Sequence, residues 1–129
     1  MLASGGIDGN NATMLETLFW LLVGHAVGDF GLQSDWMAVH KNRHYAREAK
    51  EGSRKPELIW VEVLGCHCLI HAGAVALATG SVFLGICEFI SHWIIDYCKN
   101  DQMFGFHTDQ ALHILSKFVW LGFIALGWA

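Results

Sequence analysis

Charged residues are scarce in this sequence. Asp, Glu, Lys and Arg make up 16% of its 129 residues, whereas hydrophobic residues make up 53%. Soluble domains contain about a quarter charged residues, so the composition favours a membrane protein. A basic excess is also lacking, because the net charge is −4 and the Lys and Arg of the polar segment 34–57 are mixed with acids. We therefore expect no nucleic-acid partner.

The sequence has a single proline, Pro56, which marks the start of an apolar stretch. It also lacks the features of a secretory signal. Residues 1–13 contain no Lys or Arg, and no small-residue cleavage site follows the first apolar run. We therefore expect the first apolar stretch to be part of the folded protein.

Signs of disulfide bonds are absent as well. All four cysteines, Cys66, Cys68, Cys87 and Cys98, fall inside apolar stretches, and we expect them to be small buried residues. The run Cys66-His67-Cys68 looks like a metal-binding sequence. On a helix, however, the two cysteines lie about 100° to either side of His67 and cannot share its site.

Four apolar stretches dominate what is present, each close to the ~20 residues that a helix needs to cross a bilayer. They cover residues 14–33, 58–79, 81–98 and 110–129. Trp36, Trp60 and Trp128 lie near stretch ends, which is typical of membrane interfaces. The sequence predicts one all-α domain: a transmembrane four-helix bundle with a loose tail at 1–13 and a partly helical loop between the first two helices. A soluble four-helix bundle with an unusually apolar core is the alternative.

The basic residues predict an orientation. Six of the eight Lys and Arg residues lie in segment 34–57. By the positive-inside rule this loop lies in the cytoplasm, which places both termini outside. The connection at 99–109 then also lies inside. We expect membrane lipids to be the partners of such a protein.

One polar pattern recurs in the four predicted helices, although Asp109 lies directly before the last apolar stretch. Each contains two His or Asp residues four positions apart: His25 and Asp29, His67 and His71, His92 and Asp96, and Asp109 and His113. Such side chains lie on one helix face, one turn apart, a common way for a helix to hold a metal ion. A single histidine in an apolar helix is more often a hydrogen-bonded core residue. Ionisable groups at membrane depth are costly, however, and are functional by default.

These pairs predict a metal site near the cytoplasmic face, with five imidazole and three carboxylate donors. Four donors suffice for a tetrahedral Zn²⁺, so we expect either two ions or one ion with carboxylates that orient the histidines. Zn²⁺ is the expected ion, and Fe²⁺ or Mn²⁺ are alternatives. Gln33 and Gln110 are candidates to bind the ion's water or a substrate oxygen, with interhelical hydrogen bonding as the alternative. Glu88 and Lys117 are expected at similar depths, where they can pair.

Four stretches carry a family resemblance: HAVGDFGLQSDWMAVHK, HCLIHA, SHWIIDYCK and DQALHIL. Together they resemble domain-of-unknown-function family 3307, small bacterial and bacteriophage integral membrane proteins of unknown activity. The resemblance covers nearly all of residues 16–118 and implies a protein of the bacterial inner membrane, often encoded by a phage, without naming a reaction. The family pattern maps onto His25, Asp29, Gln33, Asp35, His67, His71, His92, Asp96, Asp109, Gln110 and His113. On this ground Asp35 joins the two glutamines as a candidate supporting or substrate-binding residue.

The predicted function is a metal-dependent hydrolase acting on a membrane-associated lipid or peptide. A bound Zn²⁺ lowers the pKa of its water toward ~7 and polarises a phosphoryl or acyl oxygen, with Asp29 or Asp96 as general base. A transporter of metal ions or protons is one alternative, which the apolar outer halves of the helices disfavour. An oxidative di-metal enzyme is another, although the Glu-x-x-His motif of such bundles is missing. A phage-type interaction protein, in which the metal only holds the helices together, is the last.

Overall fold

The computed structural model describes residues 9–45 and 58–129, with side chains from residue 13 onward. In these ranges the chain forms helices and no strand: α1 (Gly9–Ala26), a π-helical turn (Val27–Gly31), α2 (Asp35–His40), α3 (Ile59–Thr79), α4 (Val82–Asn100) and α5 (Phe106–Ala125). The predicted all-α fold is confirmed. The start of the second long helix at Pro56 lies outside the described residues.

The first and last long helices begin earlier than the sequence suggested. α1 begins at Gly9, so residues 9–13 of the predicted loose tail are helical. α1 ends at Ala26, before the expected end at residue 33, and the chain continues as the π turn. α5 begins at Phe106 instead of residue 110, which puts Asp109 in its first turn.

The prediction of four membrane-spanning helices is not supported. Among the described residues, only α3 is long and apolar enough to cross a membrane, judged by length and composition alone. α4 carries Glu88, Asp96 and Lys99, and α5 carries Asp109 and Lys117. These charged residues lower the apolarity of both helices.

α3 and α4 form an antiparallel hairpin whose turn depends on Gly80. This residue has φ +69°, a backbone conformation that favours glycine. Ser81 then caps α4, because its hydroxyl oxygen accepts a hydrogen bond from the backbone N of Leu84 at 3.3 Å. Gly85 allows close approach, since a Cβ there would lie 2.9 Å from the carbonyl oxygen of Ala72. α1 packs on α3 and α5, and α4 packs on α5, which closes a ring of four long helices.

The interior of this ring has an apolar end and a polar end. Each long helix contributes one residue to an apolar cluster of Leu21, Val75, Leu84 and Trp120. The remaining interior contains the buried polar residues His25, Lys41, His67, His71, Glu88, His92, Asp96, Asp109, His113 and Lys117. Within the described ranges, ten buried residues are thus polar or charged and eight are hydrophobic. Lys, Glu and Asp are rarely buried unless they are paired, so the polar end requires an explanation.

Candidate metal centre

Four side chains meet at the polar end. Asp29 of the π turn, His67 and His71 of α3, and His92 of α4 each offer one ligand atom, and these atoms all lie within 4.8 Å of one another. Nε2 of His67 lies 3.3 Å from Nε2 of His92 and 3.4 Å from Oδ1 of Asp29. Nε2 of His71 lies 3.0 Å from the same oxygen. Ligands ~2.0–2.1 Å from a tetrahedral ion are ~3.3 Å apart, so these four residues, the first donor group, fit such an ion.

Local structure explains how three of these donors are positioned. His67 and His71 are four residues apart on α3 and therefore share one face. Asp29 comes from the π turn, a wider form of helix that is frequent at functional sites. Gly28 in the same turn lies against the His71 imidazole, because a Cβ at Gly28 would be 2.4 Å from Cε1 of that ring. Only a residue without a side chain leaves room for the ring.

His92 is oriented by a buried network on its apolar side. Its Nδ1 lies 3.1 Å from Oε1 of Glu88. Because an ionised carboxylate only accepts hydrogen bonds, Nδ1 donates and Nε2 keeps its lone pair toward the cluster. Lys117 donates to Oε1 of Glu88 at 2.5 Å, and the Trp120 indole donates to Oε2 at 2.7 Å. Carboxylates hold metal-bound imidazoles in this way, and the predicted pairing of Glu88 with Lys117 is present.

A second donor group adjoins the first and shares His92 with it. It contains His92, Asp96 and His113, whose ligand atoms also lie within 4.8 Å of one another. Nε2 of His113 lies 3.2 Å from Oδ1 of Asp96 and 3.5 Å from Oδ1 of Asp109. The rings of His71, His92 and His113 stack in that order, with centroids 3.8 and 4.0 Å apart. The two groups therefore form one continuous cluster.

The cluster contains the carboxylates of Asp29 and Asp96, Asp109 lies beside it, and few cations balance these three groups. Nζ of Lys41 lies 2.6 Å from Oδ2 of Asp96, and Nζ of Lys99 lies 3.9 Å from Oδ2 of Asp109. Within the described ranges, Asp29 has histidines as its only ion-pair partners. Buried carboxylates are costly without a counter-charge. A divalent cation among these three would supply that charge.

A polar cavity of about 240 Å³ opens beside the cluster. Its polar lining comprises Asp29, Gln33, Asp35, Lys41, Asp96, Lys99, Asp109 and Gln110. The cavity thus joins the acids of the cluster to two ammonium groups. A small polar or ionic molecule has access to both.

Three predicted site residues lie beside the donor groups and not in them: His25 and Asp109, which were predicted as metal ligands, and Gln110. Nε2 of His25 is 3.7 Å from Oδ2 of Asp29 and 3.1 Å from Oε1 of Gln110. The amide nitrogen of Gln110 donates to Oδ2 of Asp29 at 2.8 Å. Gln110 therefore links His25 to Asp29, and its predicted supporting position agrees with this geometry.

The other two predicted supporting residues line the cavity. Gln33 follows the π turn, and its Oε1 is buried without a hydrogen bond in the part of the chain that the structure describes. Asp35 is the first residue of α2 and is exposed. Neither side chain belongs to a donor group, so both remain candidates for contacts with a substrate.

Four supporting residues were missed by sequence reasoning: Gly28, Lys41, Trp120, and Glu88 as the partner of His92. A signal existed for Glu88, because Glu88, His92 and Asp96 continue the four-residue spacing of the predicted pairs. Lys41 had none, since it follows the short helix α2 and is 55 residues from Asp96 in sequence.

The segment that carries Lys41 is fastened to the end of α4. Nε and Nη2 of Arg43 donate to the two carboxylate oxygens of Asp101 at 2.9 and 2.5 Å, and Nη1 donates to the Tyr97 hydroxyl. Nε2 of His44 lies 2.8 Å from Oδ1 of Asp101. Hydrogen bonds from His44 and Arg43 hold the pKa of Asp101 below its ordinary value.

The fold and the cluster together define a small all-helical protein with a buried histidine–aspartate centre. The chain belongs to the DUF3307 family, described as a protein of unknown function, and the family match covers residues 17–126. This range includes every residue of both donor groups. No curated protein and no solved structure matches the chain.

Proposed function

We propose that this protein is a membrane-embedded, metal-dependent hydrolase with an ion bound in the first donor group. One observation carries the proposal: four ligand atoms lie within 4.8 Å of one another, and the acid among them lines a cavity of about 240 Å³. Catalytic zinc sites can expand to five ligands, so an ion held by these four donors can take a fifth ligand from the cavity. Zn²⁺ is the proposed ion, and Fe²⁺ or Mn²⁺ are the alternatives.

The residues of the cavity suit hydrolysis. A bound divalent ion would supply a hydroxide at neutral pH and polarise an acyl or phosphoryl oxygen. Asp29 has Oδ1 near the histidines of α3 and Oδ2 near Gln110, so Oδ2 can accept the proton of the attacking water. The water oxygen would bond to the acyl carbon or phosphorus as the bond to the leaving atom breaks, and Lys41, which lines the cavity, would protonate that atom. Asp96, the other predicted base, is held by Lys41 and is better placed as a ligand.

The distribution of side chains supports a membrane location. Large apolar residues point outward along α3 and α4, among them Leu69, Leu77, Val82, Ile86, Ile90 and Ile94. Leu77 is 88% exposed. The charged residues Glu88 and Asp96, which lower the apolarity of α4, are buried. An apolar exterior around buried ionisable groups suits a lipid environment.

The predicted orientation would place the cavity at the cytoplasmic face. Gln33, Asp35 and Lys41 all line the cavity, and they border or belong to the loop that the positive-inside rule assigns to the cytoplasm. Labelling of single cysteines introduced at this loop, from one side of sealed vesicles, tests the orientation. Labelling from the outside would contradict it.

A groove beside the cluster favours a lipid over a peptide as substrate. The groove has a volume of about 580 Å³ and runs between α1 and α3, with mostly apolar residues in its lining. The π turn separates it from the cavity: Val27 and Gly28 line the groove, whereas Asp29 and Phe30 line the cavity. We propose that an acyl chain lies in the groove while the ester or phosphoester of the same lipid enters the cavity.

Elemental analysis of the purified protein tests the metal site. We expect bound metal in the unchanged protein and its loss in His67→Ala and His92→Ala, because each change removes a ligand of the first donor group. His107→Ala is the matched control, since His107 is exposed on α5. Full metal content in both cluster variants would overturn the proposal.

Hydrolysis of lipid esters and phosphoesters in mixed micelles tests the activity. Asp29→Asn keeps the size of the side chain but removes the base, so we expect the rate to fall by roughly 10²–10⁴-fold. Metal flux in proteoliposomes without hydrolysis would indicate a transporter instead. A metal-dependent melting temperature without turnover of any such substrate would indicate a structural site.

A further inference from the structure

We infer that the cluster holds two divalent ions bridged by Asp96. The first is the ion of the first donor group, so this inference rests on the proposed function. The second ion lies among Asp96, Asp109 and His113. The cluster would then be a two-metal centre.

The two oxygens of Asp96 face different donor groups. Oδ2, where the first ion would replace the ammonium group of Lys41, lies 3.5 Å from Nε2 of His67 in the first group. Oδ1 lies 3.2 Å from Nε2 of His113 in the second group. Both distances are close to the ~3.3 Å between neighbouring ligands of a tetrahedral ion. One carboxylate can therefore bind an ion through each oxygen, at the ~3.5–4 Å separation of two-metal sites.

His92 belongs to both groups by distance but can serve only one ion. Its Nδ1 is held by Glu88, so only Nε2 is available. This atom lies 3.3 Å from Nε2 of His67 but 3.9 Å from Oδ1 of Asp96. We therefore assign His92 to the first ion.

Asp109 supplies the third donor that the second ion then needs. It is 2% exposed, and its Oδ1 makes no hydrogen bond in the described part of the chain. The same oxygen lies 3.5 Å from Nε2 of His113. A buried carboxylate oxygen without a hydrogen bond is costly, and an ion between Asp109 and His113 would remove that cost.

The two ions would differ in their access to substrate. The first has four donors besides the shared Asp96, and only Asp29 among these four lines the cavity. The second has three donors, of which Asp96 and Asp109 line the cavity. Three protein ligands with an open position are the arrangement of catalytic zinc sites. When both ions are bound, the attacking water would therefore be held by the second ion and not by the ion of the first donor group.

The ratio of Zn²⁺ to protein, measured by elemental analysis after loading and removal of excess ion, tests this assignment. We expect two ions per chain in the unchanged protein and one in Asp109→Asn and in His113→Ala. His113→Ala removes a donor of the second ion only, and Asp109→Asn replaces the carboxylate of that ion with a neutral amide, which is not among the usual ligands of Zn²⁺. Asp109→Asn keeps the size of the side chain and covers the case in which His113→Ala folds poorly. His107→Ala serves as control and should keep both ions.

Mn²⁺ provides a second readout that needs no variant. Two Mn²⁺ ions bridged by one carboxylate couple magnetically, so the electron paramagnetic resonance spectrum of the loaded protein should differ from that of an isolated ion. One ion per chain, unaffected by Asp109→Asn, would overturn the two-ion inference and leave the proposed function standing. No bound ion at all would overturn both.

Discussion

The two ends of the helix ring are built from the same helices in the same register, yet their interiors have opposite polarity. Along α4 the inward positions are Leu84, Glu88, His92 and Asp96. Along α5, which runs back beside it, they are Trp120, Lys117, His113 and Asp109. Helical register decides only which residues face inward. The residue type at each step decides whether that layer stabilises the fold or forms the site.

The layer of Glu88 and Lys117 separates these two regions and contacts both. Glu88 accepts a hydrogen bond from Trp120 on the apolar side and holds His92 on the polar side. Lys117 neutralises it within the ring. Stability and metal binding are therefore coupled through this pair, and variants of it test the comparison most severely.

The largest effect is expected from Lys117→Met. It leaves the charge of Glu88 buried without a counter-ion, so the free energy of unfolding should fall by about 3–5 kcal/mol. Denaturant unfolding of the purified protein measures this. The double variant Glu88→Leu/Lys117→Met should recover only part of the stability, because Trp120 and His92 lose their acceptor. Its metal affinity should fall by about 10–100-fold. A single variant as stable as the parent would show that this pair does not link the two ends.

A change confined to the apolar end should affect stability alone. Leu84 is fully buried in the apolar cluster, and Leu84→Ala should reduce the free energy of unfolding by about 3 kcal/mol through the cavity it leaves. The ratio of metal to protein should not change. Ile86→Ala is the control, because Ile86 is exposed two residues further on, and it should cost less than about 0.5 kcal/mol. Loss of metal in Leu84→Ala would contradict the separation of the two regions.

A change confined to the polar end should do the reverse. In Gly28→Ala the new Cβ would lie 2.4 Å from Cε1 of His71, so the ring must move out of the first donor group. We expect a stability loss of about 1–3 kcal/mol from overpacking and a large loss of metal affinity, measured by competition with a chelator. Gly73→Ala is the matched control on α3, since a Cβ there meets no atom within 4 Å. Equal metal affinity in both variants would contradict the fit of the His71 ring against Gly28.

The sequence predicts much of this architecture because the polar residues keep a helical period. The pairs at four-residue spacing identify the inward faces of four helices, and the structure brings all four pairs to one end of the ring. The number of membrane spans could not be predicted in the same way. Hydropathy averages every residue of a stretch, and the inward charges of α4 and α5 lower the averages of these two helices. α1 includes the polar residues 9–13 and ends at Ala26. Among the described residues, only α3 qualifies by length and composition.

The missed residues depend on tertiary contacts that no local pattern encodes. Lys41 reaches Asp96 from a segment after α2, and nothing in its neighbourhood distinguishes it from the other lysines of that loop. Gly28 is required by a ring from another helix. The π turn replaces α-helical geometry within an otherwise regular apolar run. Each feature becomes visible only when two elements are placed together.

The smallest expected effect is that of a change at Asp101, which directly follows α4. The side chain of Asp101 is 22% exposed, so solvent weakens its contacts with His44 and Arg43. Its pKa is lowered from the ordinary value of 3.8, so the ionised form is stabilised by folding. This contribution is complete above that ordinary value and is lost as the pH falls through the lower pKa of the folded state.

Asp101→Asn should therefore melt slightly below the parent protein at pH 6, and the difference should shrink as the pH falls below about 4. Melting curves of both proteins between pH 3 and pH 7 measure this difference, in which the titration of the other carboxylates cancels. Metal content should stay that of the parent, because Asp101 contacts neither donor group and only fastens the segment that carries Lys41. If the difference in melting temperature instead grows toward low pH, Asp101 does not contribute as an ionised partner of Arg43. The contact between Arg43 and Asp101 would then not be what holds the segment of Lys41 to the end of α4.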